Sequence, residues 1–261
     1  MRKIAVLILA AAGVSLAGAA SAADIAARPV YTKAAPIVPV YIWQGSYIGG
    51  YVGGASGADN VRTFGPVNAA GAPIFAAPNN PTSYKLGSSF IGGYTGGYNW
   101  QISPNWVLGY ESETGYIGTT GSATFAAPVT ATARTSLNGM YSAYTARVGY
   151  AWDRSLLYAK GGVTYARFET GVTDPTAAAH IDTTGRKYAF GYAAGGGWEY
   201  ALDTKWSLKA EYLYLGFDKN ITTNGNLSTG PTQVFTTTNL SGIHTGKVGL
   251  NYKWDWFSLL R

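Results

Sequence analysis

The sequence has 261 residues, of which 47% are hydrophobic and 14% aromatic but only 12% charged. It contains no cysteine, which excludes disulfides, thiolate metal sites and cysteine nucleophiles. The formal net charge of +6 comes from dispersed Lys and Arg, so the basic patch of a nucleic-acid-binding protein is not supported. Apolar runs are too short for a bundle of membrane helices, whereas 35 glycines and 20 tyrosines favour strands.

The N-terminal segment, residues 1–22, is predicted to be a cleaved secretory signal peptide. Arg2 and Lys3 supply the positive charge, residues 4–16 the apolar core, and Ala20-Ser21-Ala22 the small-residue cleavage site. The apolar core is shorter than the roughly 20 residues that a spanning helix needs. Residues 23–44 follow with three prolines among Ala, Val and Tyr, which predicts an extended periplasmic tether.

Residues 45–254 alternate short turns with long polar segments, which predicts eight strands of roughly ten residues, enough to cross a bilayer when tilted. The strands are predicted near residues 46–56, 87–101, 105–117, 139–152, 155–168, 187–201, 205–217 and 243–254. The predicted fold is all-β, an eight-stranded antiparallel up-and-down transmembrane β-barrel. A soluble β-sandwich is the alternative, but the aromatic rows would give it a large apolar patch.

Four long segments rich in Gly, Ala, Asn, Thr and Pro separate these hairpins, near residues 57–86, 118–138, 169–186 and 218–242. We predict them to be loops on the outside of the cell, because outer-membrane barrels have short periplasmic turns and long external loops. Their few charges argue against a strongly electrostatic receptor.

All eight tryptophans lie where a predicted strand meets a short turn or a chain end, which predicts that they share one rim. Indole rings favour the boundary between lipid and water, so such a rim is typical of a membrane barrel. The predicted aromatic girdle is Trp100, Trp106, Trp152, Trp198, Trp206 and Trp254, with Trp43 and Trp256 near the two ends of the repeating region.

Alternation along the strands separates a lipid-facing set from an interior set, because successive side chains point to opposite faces. The outward rows are Phe90, Tyr94, Tyr98, Trp100; Trp106, Leu108, Tyr110, Tyr116; Tyr144, Val148, Tyr150, Trp152; Phe190, Tyr192, Trp198, Tyr200; and Trp206, Leu208, Tyr212, Tyr214. The interior charges are Glu111, Glu113, Arg147, Lys160, Glu199, Lys209, Glu211, Lys247 and Lys253. The first strand has glycine on both faces, so its sequence does not show which residues point inward.

These interior charges nearly balance, and we predict that Glu111 pairs with Arg147 and Glu211 with Lys247. The interior of an eight-stranded barrel is just wide enough to be filled by side chains, so paired charges there predict a plugged lumen without a wide pore. A structural role is favoured over a proton or ion relay, since buried charges need partners whatever the function.

The chain resembles the small outer-membrane immunogenic proteins of alphaproteobacteria, also called porin-family proteins, which have the fold of the OmpA transmembrane domain. The resemblance covers nearly the whole chain. Its motifs are the mature start at residues 23–34, Trp43-Gln-Gly-Ser-Tyr-Ile-Gly-Gly50, Gly97-Tyr-Asn-Trp-Gln101 and Val248-Gly-Leu-Asn-Tyr-Lys253.

The resemblance implies a surface-exposed, non-catalytic component of the Gram-negative outer membrane that contributes to envelope integrity and to external contact. It also implies an assembly signal in the last strand, matched by Lys247, Gly249, Tyr252 and Trp254. Family members usually stop at a terminal aromatic residue, whereas this chain continues as a tail over residues 255–261. The implied partners are outer-membrane lipid, lipopolysaccharide and the barrel-assembly machinery; a host or environmental ligand and the oligomeric state stay open.

Two other functions remain as alternatives. A small-solute porin is one, because glycine-rich strand faces could widen the lumen locally. A lipid A-modifying barrel enzyme is the other, with His180 and His244 as its candidate histidines, although neither shows a recognisable nucleophile geometry. No catalytic residue, metal site or cofactor is predicted. The run Gly195-Gly196-Gly197 lies within a predicted strand and is interpreted as a place of close backbone packing, not as a phosphate-binding loop.

Overall fold

The computed structural model describes residues 41–74, 81–127, 129–174 and 180–254. The predicted signal peptide, all of the tether up to residue 40 and the tail at residues 255–261 lie outside the described residues. The described chain is built from β-strands that pair antiparallel throughout. Within this part of the chain, no helix is both long enough and apolar enough to span a bilayer.

The strands are numbered along the chain. They are β1 (Gly45–Gly57), β2 (Asn60–Thr63), β3 (Val67–Asn68), β4 (Thr82–Lys85), β5 (Ser88–Gln101), β6 (Trp106–Thr124), β7 (Thr132–Trp152), β8 (Ser155–Asp174), β9 (Ile181–Asp182), β10 (Gly185–Ala201), β11 (Trp206–Gly216), β12 (Asn220–Leu227), β13 (Gln233–Asn239) and β14 (Ile243–Trp254).

Eight long strands form a closed ring of pairings in the order β1-β5-β6-β7-β8-β10-β11-β14, and β14 pairs with β1 to complete it. Each therefore has a hydrogen-bonded neighbour on both sides, which removes the exposed sheet edge. Short turns at residues 102–105, 153–154 and 202–205 define one end of the ring, the turn end. In the last of them Asp203 accepts bonds from the N–H groups of Lys205 (2.7 Å) and Trp206 (2.8 Å), which lowers the pKa of its carboxyl group.

At the opposite end, the loop end, the structure has strands in segments that were predicted to be loops. β6 ends at residue 124 and β8 at residue 174, well beyond the predicted ends at 117 and 168. β7 begins at residue 132, well before the predicted start at 139. The long connections also form β2, β4, β9, β12 and β13, which pair in the order β8-β9-β12-β13-β2-β4, while β3 pairs with β13. The physical reason is their threonine-rich composition, because β-branched residues fit a pleated surface.

The alternation predicted for five strands is confirmed. The residues of the outward rows are exposed or partly exposed, whereas the alternate positions, such as Ile91, Val107 and Ala193, are buried except at some glycines, which are partly exposed. β1 shows the same alternation, with Tyr47 and Tyr51 buried at 4% and 3% exposure and Ile48 and Val52 outside. The ring thus has an apolar outer wall around a filled interior.

Candidate functional site: the buried charge network

The charge network consists of eight side chains that point into the ring from six strands. It is made up of Glu111 and Glu113 (β6), Arg147 (β7), Lys160 (β8), Glu199 (β10), Lys209 and Glu211 (β11), and Lys247 (β14). Each of these residues is at most 5% exposed. Four carboxylates face four cations, so the buried layer is formally neutral, as burial of charge requires.

Lys160 lies at the centre of the network. Its Nζ donates to Glu111 Oε1 at 2.7 Å and to Glu113 Oε2 at 3.1 Å, and lies 2.8 Å from Glu211 Oε1. One ammonium therefore joins carboxylates from two strands, β6 and β11, which do not adjoin β8 in the ring. These contacts cross the interior and close it laterally.

Lys247 and Lys209 complete the lysine contacts. Lys247 Nζ lies 2.7 Å from Glu113 Oε1 and 2.8 Å from Glu211 Oε1, while Lys209 Nζ lies 3.2 Å from Glu111 Oε2. The structure thus brings the predicted pair Glu211 and Lys247 into contact. Each of the three glutamates touches at least two lysines.

Arg147 pairs with Glu199 in the part of the network nearest the turn end. Its Nη1 lies 3.3 Å from Glu199 Oε2 and 3.8 Å from Glu111 Oε2, and its Nε donates to Asn99 Oδ1 at 2.8 Å. The predicted partner, Glu111, is therefore present but more distant than Glu199. The guanidinium of Arg147 also lies 4.7 Å from the centre of the Tyr47 ring, a cation–π contact.

Four buried tyrosines support the carboxylates, and the sequence analysis missed them. Tyr47 donates to Glu111 (2.9 Å), Tyr141 to Glu113 (2.9 Å) and Tyr158 to Glu211 (2.7 Å), and the hydroxyls of Tyr51 and Tyr141 lie 2.8 Å apart. The alternation along the strands would have predicted two of them. Tyr141 is an even number of residues from Arg147, and Tyr158 from Lys160, so each tyrosine points to the same side as the charge on its strand.

Inward glycines make room for these rings. A Cβ on Gly97 would lie 2.5 Å from the Tyr47 hydroxyl, and one on Gly115 would lie 2.4 Å from the Tyr51 hydroxyl. On β10, a Cβ on Gly197 would lie 2.6 Å from the hydroxyl of Tyr158. The glycine-rich strand faces are therefore filled by aromatic side chains from neighbouring strands.

The carboxylates of Glu111, Glu113 and Glu211 approach within 4.8 Å of one another, the spacing of a metal-binding cluster. Lys160 and Lys247 already donate to these oxygens, so ammonium groups occupy the place that a metal cation would need. This donor set therefore fits lysine pairing and does not fit a metal ion.

The network is closed at the turn end by a second layer that corrects one sequence prediction. Trp43 was predicted on the outer rim, but it is 2% exposed and packs with Val107, Ala151, Leu156 and Ala201 inside the ring. The backbone N–H of Trp43 donates to Gln101 Oε1 at 2.8 Å. The cavity between this layer and Glu199 has a volume of about 10 Å³, roughly the minimum that holds one water molecule.

Lys253 stands apart from the network at this end. Its Nζ contacts the carbonyl oxygen of Ile42 and lies 4.6 Å from the centre of the Tyr41 ring. It was predicted to be an interior charge, but it lies at the rim and is partly exposed.

Toward the loop end the network is covered by apolar side chains and then by hydroxyls. The apolar layer includes Ile91, Ile117, Leu137, Phe168, Leu213, Leu215 and Phe217. Above it Thr135 and Thr170 are hydrogen-bonded at 2.8 Å, and Tyr84 bonds to Thr63 and Thr135, both at 2.9 Å. Burial raises the pKa of the Tyr84 phenol, which keeps it a hydrogen-bond donor.

The predicted girdle lies on the outer wall near the turn end. Trp100, Trp106, Trp152, Trp198 and Trp206 are 40–49% exposed, and Trp254 is partly exposed. A second set of outward aromatics, Tyr116, Tyr165, Tyr188 and Phe190, lies toward the loop end. Trp106 and Tyr116 are ten residues apart on β6, which corresponds to about 25 Å along the axis of a tilted strand, the height of an outer-membrane apolar band.

The residues proposed for assembly lie on both faces of β14. Lys247 and Gly249 point inward, whereas Tyr252 is on the outer side, where its ring lies 4.9 Å from that of Trp206. Trp254 pairs in register with Ser46 where β14 meets β1. Lys247 is thereby also a member of the charge network.

The two histidines lie apart. His180 is exposed beside β9, and its backbone N–H donates to the Ser228 hydroxyl at 2.9 Å. His244 lies on the outer wall of β14, where its Nδ1 is 2.6 Å from the Tyr212 hydroxyl. Neither histidine contacts the charge network.

Comparison with known proteins gives a consistent family. The family model "Outer membrane protein beta-barrel domain" matches residues 8–253. The chain is 31% identical over 261 residues to the 31 kDa outer-membrane immunogenic protein of Brucella melitensis, covering 95% of this chain and 98% of that protein. It is 28% identical over 210 residues to the 22 kDa outer membrane protein of Rhizobium leguminosarum, covering 80% and 81%.

Among solved structures, the outer membrane protein OprG from Pseudomonas aeruginosa matches with a TM-score of 0.54 at 14% identity, over 82% of this chain and 98% of OprG. This likeness concerns the fold. The names of the relatives describe outer-membrane proteins and do not include a catalytic activity. The chain therefore belongs to the outer membrane protein beta-barrel domain family, and it is a β-barrel protein of the Gram-negative outer membrane.

Proposed function

We propose that this protein is a structural, surface-exposed component of the outer membrane, whose eight long strands span the bilayer as an up-and-down barrel with a closed interior. The observation that carries the proposal is the charge network, in which each residue is at most 5% exposed. A water-filled channel through this layer would leave those side chains accessible. The interior therefore stabilises the barrel, and contacts with the surroundings fall to the outer wall and the loop end.

The structural role is supported by how the cations and carboxylates are used. Lys160 contacts three carboxylates and Glu111 contacts three cations, so these central charges each have several ionic partners. Such multiple pairing compensates for loss of hydration and fixes the strands relative to one another. A relay would instead need a path from the network to water, and Trp43 and the apolar layer cover it on both sides.

We expect single purified barrels in planar bilayers to show no stable large-conductance steps, because side chains fill the lumen. The control is an open porin measured in the same bilayers. Reproducible large steps from this protein would instead establish the alternative of a small-solute porin.

The lipid A-modifying enzyme depends on the histidines. His244 is the better placed of the two, since it lies on the outer wall, and Ser56 is its cross-strand neighbour. However, its Nδ1 contacts Tyr212, and the relatives' names include no catalytic activity. The structure therefore favours a rim histidine bonded to a tyrosine.

We expect His244→Ala to leave the acylation pattern of lipid A unchanged in cells that express the protein, because we assign no catalytic part to this residue. Mass spectrometry of lipid A from cells with wild-type protein, the variant or no protein measures this. Acylation that changes with the wild type and reverts with H244A would support the enzyme.

The remaining partners follow from the same location. We propose that the barrel-assembly machinery reads Lys247, Gly249, Tyr252 and Trp254 on β14. We further propose that outer-membrane lipid and lipopolysaccharide surround the apolar wall, and that the loop end carries contact with a host or the environment.

A further inference from the structure

A cluster of three arginines lies on the outer wall at the loop end. Arg134, Arg167 and Arg186 come from the adjacent strands β7, β8 and β10, and all three are exposed. Each arginine occupies one of the alternate positions of its strand that point outward, as Tyr144 does on β7 and Phe190 on β10. The arginines therefore point away from the interior, on the face that lower down is covered by lipid.

The wall is open at this point because β7 has two more residues than β8 between their paired positions. Ser136 pairs with Glu169 and Tyr141 with Ala166, so four residues of β7 face only two of β8. The extra residues interrupt the ladder between the strands and leave a cleft of about 270 Å³. Its lining includes the three arginines with Glu169, Ser136 and Asn138.

The cleft carries an excess of positive charge. Glu169 is the one acid in its lining, and its Oε2 lies 2.5 Å from Arg186 Nε. Within the described part of the chain, neither Arg134 nor Arg167 has a carboxylate oxygen within 4 Å. Ser136 and Asn138 add neutral hydrogen-bond donors, which suits an anion of tetrahedral, multiply accepting geometry.

The position of the cleft relative to the apolar band identifies the source of that anion. Arg167 is the cross-strand neighbour of Tyr188 and lies two residues beyond Tyr165, whose ring packs 5.9 Å from that of Phe190. Arg186 lies four residues beyond Phe190. At strand spacing Arg167 and Arg186 are about 5–10 Å above the Tyr165–Phe190 pair, the depth of headgroups in the outer leaflet.

We propose that this cleft binds a phosphate group of the outer-leaflet glycolipid, with the acyl chains of the same lipid against Tyr165, Tyr188 and Phe190. The site rests on the proposed function, since it requires that the ring span the membrane. Arginine forks bind phosphate oxygens in pairs, and the adjoining apolar wall gives the lipid an attachment that free phosphate cannot use.

The test is lipid binding by the whole refolded protein and by the variant Arg134→Gln/Arg167→Gln/Arg186→Gln. A matched control, Arg62→Gln/Lys85→Gln/Lys219→Gln, removes the same charge from three other exposed positions. Binding of bisphosphorylated lipid A and of enzymatically dephosphorylated lipid A is measured by native mass spectrometry. We expect the wild type and the control to prefer the phosphorylated lipid by about tenfold, and the triple variant to lose that preference.

A single substitution with the opposite effect strengthens the test. Glu169→Gln removes the carboxylate that competes with phosphate for Arg186. The preference of this variant for phosphorylated lipid A is therefore expected to exceed that of the wild type. Millimolar inorganic phosphate is expected to leave the lipid bound; displacement by phosphate would show that the cleft takes free anion and would overturn the lipid assignment.

The outcomes separate the site from the barrel. If the wild type inserts into liposomes and shows the heat-dependent gel shift of a folded barrel but has no preference for phosphorylated lipid, the site is wrong and the proposed function stands. If wild type, variant and control all fail to insert, the membrane-spanning barrel itself is wrong, and the lipid site falls with it.

Discussion

Replacing Lys160 with methionine is expected to destabilise the folded protein by about 3–5 kcal/mol, because it leaves buried carboxylates without their shared cation. The ammonium lies within 3.1 Å of oxygens on Glu111, Glu113 and Glu211. Methionine has a similar length, so the lost contacts are ionic and not steric. Urea unfolding of the refolded protein in lipid vesicles, followed by tryptophan fluorescence, measures the change.

The matched control for this substitution is Lys205→Met, at an exposed position in the turn between β10 and β11. It removes the same charge outside the network and is expected to change stability by less than about 0.5 kcal/mol. Adding Glu111→Gln to Lys160→Met should restore part of the loss, since it removes one unpaired carboxylate. Equal effects of the two lysine substitutions would mean that the network does not hold the barrel together.

The antiparallel all-β fold and the two faces of the strands could be predicted because the alternation of side chains is strong in several strands. Toward the turn end of β6 and β7, outward positions hold mainly aromatic or aliphatic side chains and inward positions hold mainly small or charged ones, so a one-residue slip would bury charge in lipid. β1 lacks this signal, because glycines occupy both of its faces. Its inward face is identified in the structure by the buried Tyr47 and Tyr51.

The ionic contacts were partly predictable for a geometric reason. Glu111 with Arg147, and Glu211 with Lys247, are on adjacent strands, where sequence spacing indicates similar heights. The contacts of Lys160 with Glu111 and Glu211 instead cross the interior. Which residues meet there depends on the stagger of the whole ring, which no single hairpin encodes.

The strands of the long connections could not be read from the sequence for another reason. β2, β3, β4 and β9 have only two to four residues, and short polar segments show too few alternations to separate them from loop. They form because the extended ends of β6, β7 and β8 and the hairpin β12–β13 offer strand edges and a buried face. Their pairing is decided by tertiary context, which also applies to Trp43.

Substituting Gly97 with alanine is expected to destabilise the barrel by about 1–3 kcal/mol through overpacking of the interior. The added Cβ would lie 2.2 Å from the backbone oxygen of Tyr110 and 2.5 Å from the hydroxyl of Tyr47. The tyrosine can relieve its contact only by giving up its hydrogen bond to Glu111. The strand wall must move to relieve the other contact, so neither neighbour accommodates the methyl group freely.

The adjacent Gly96 provides the control, because its Cβ would point outward and lie 3.6 Å from the nearest atom, an ordinary contact. Gly96→Ala is expected to be neutral or slightly stabilising, since alanine restricts the unfolded chain more than glycine does. Urea unfolding and the heat-dependent gel shift compare the two variants, which differ by one position and one face. Equal stability of G96A and G97A would show that the wall yields to an inward methyl group, and that the glycines are not there to admit the tyrosines.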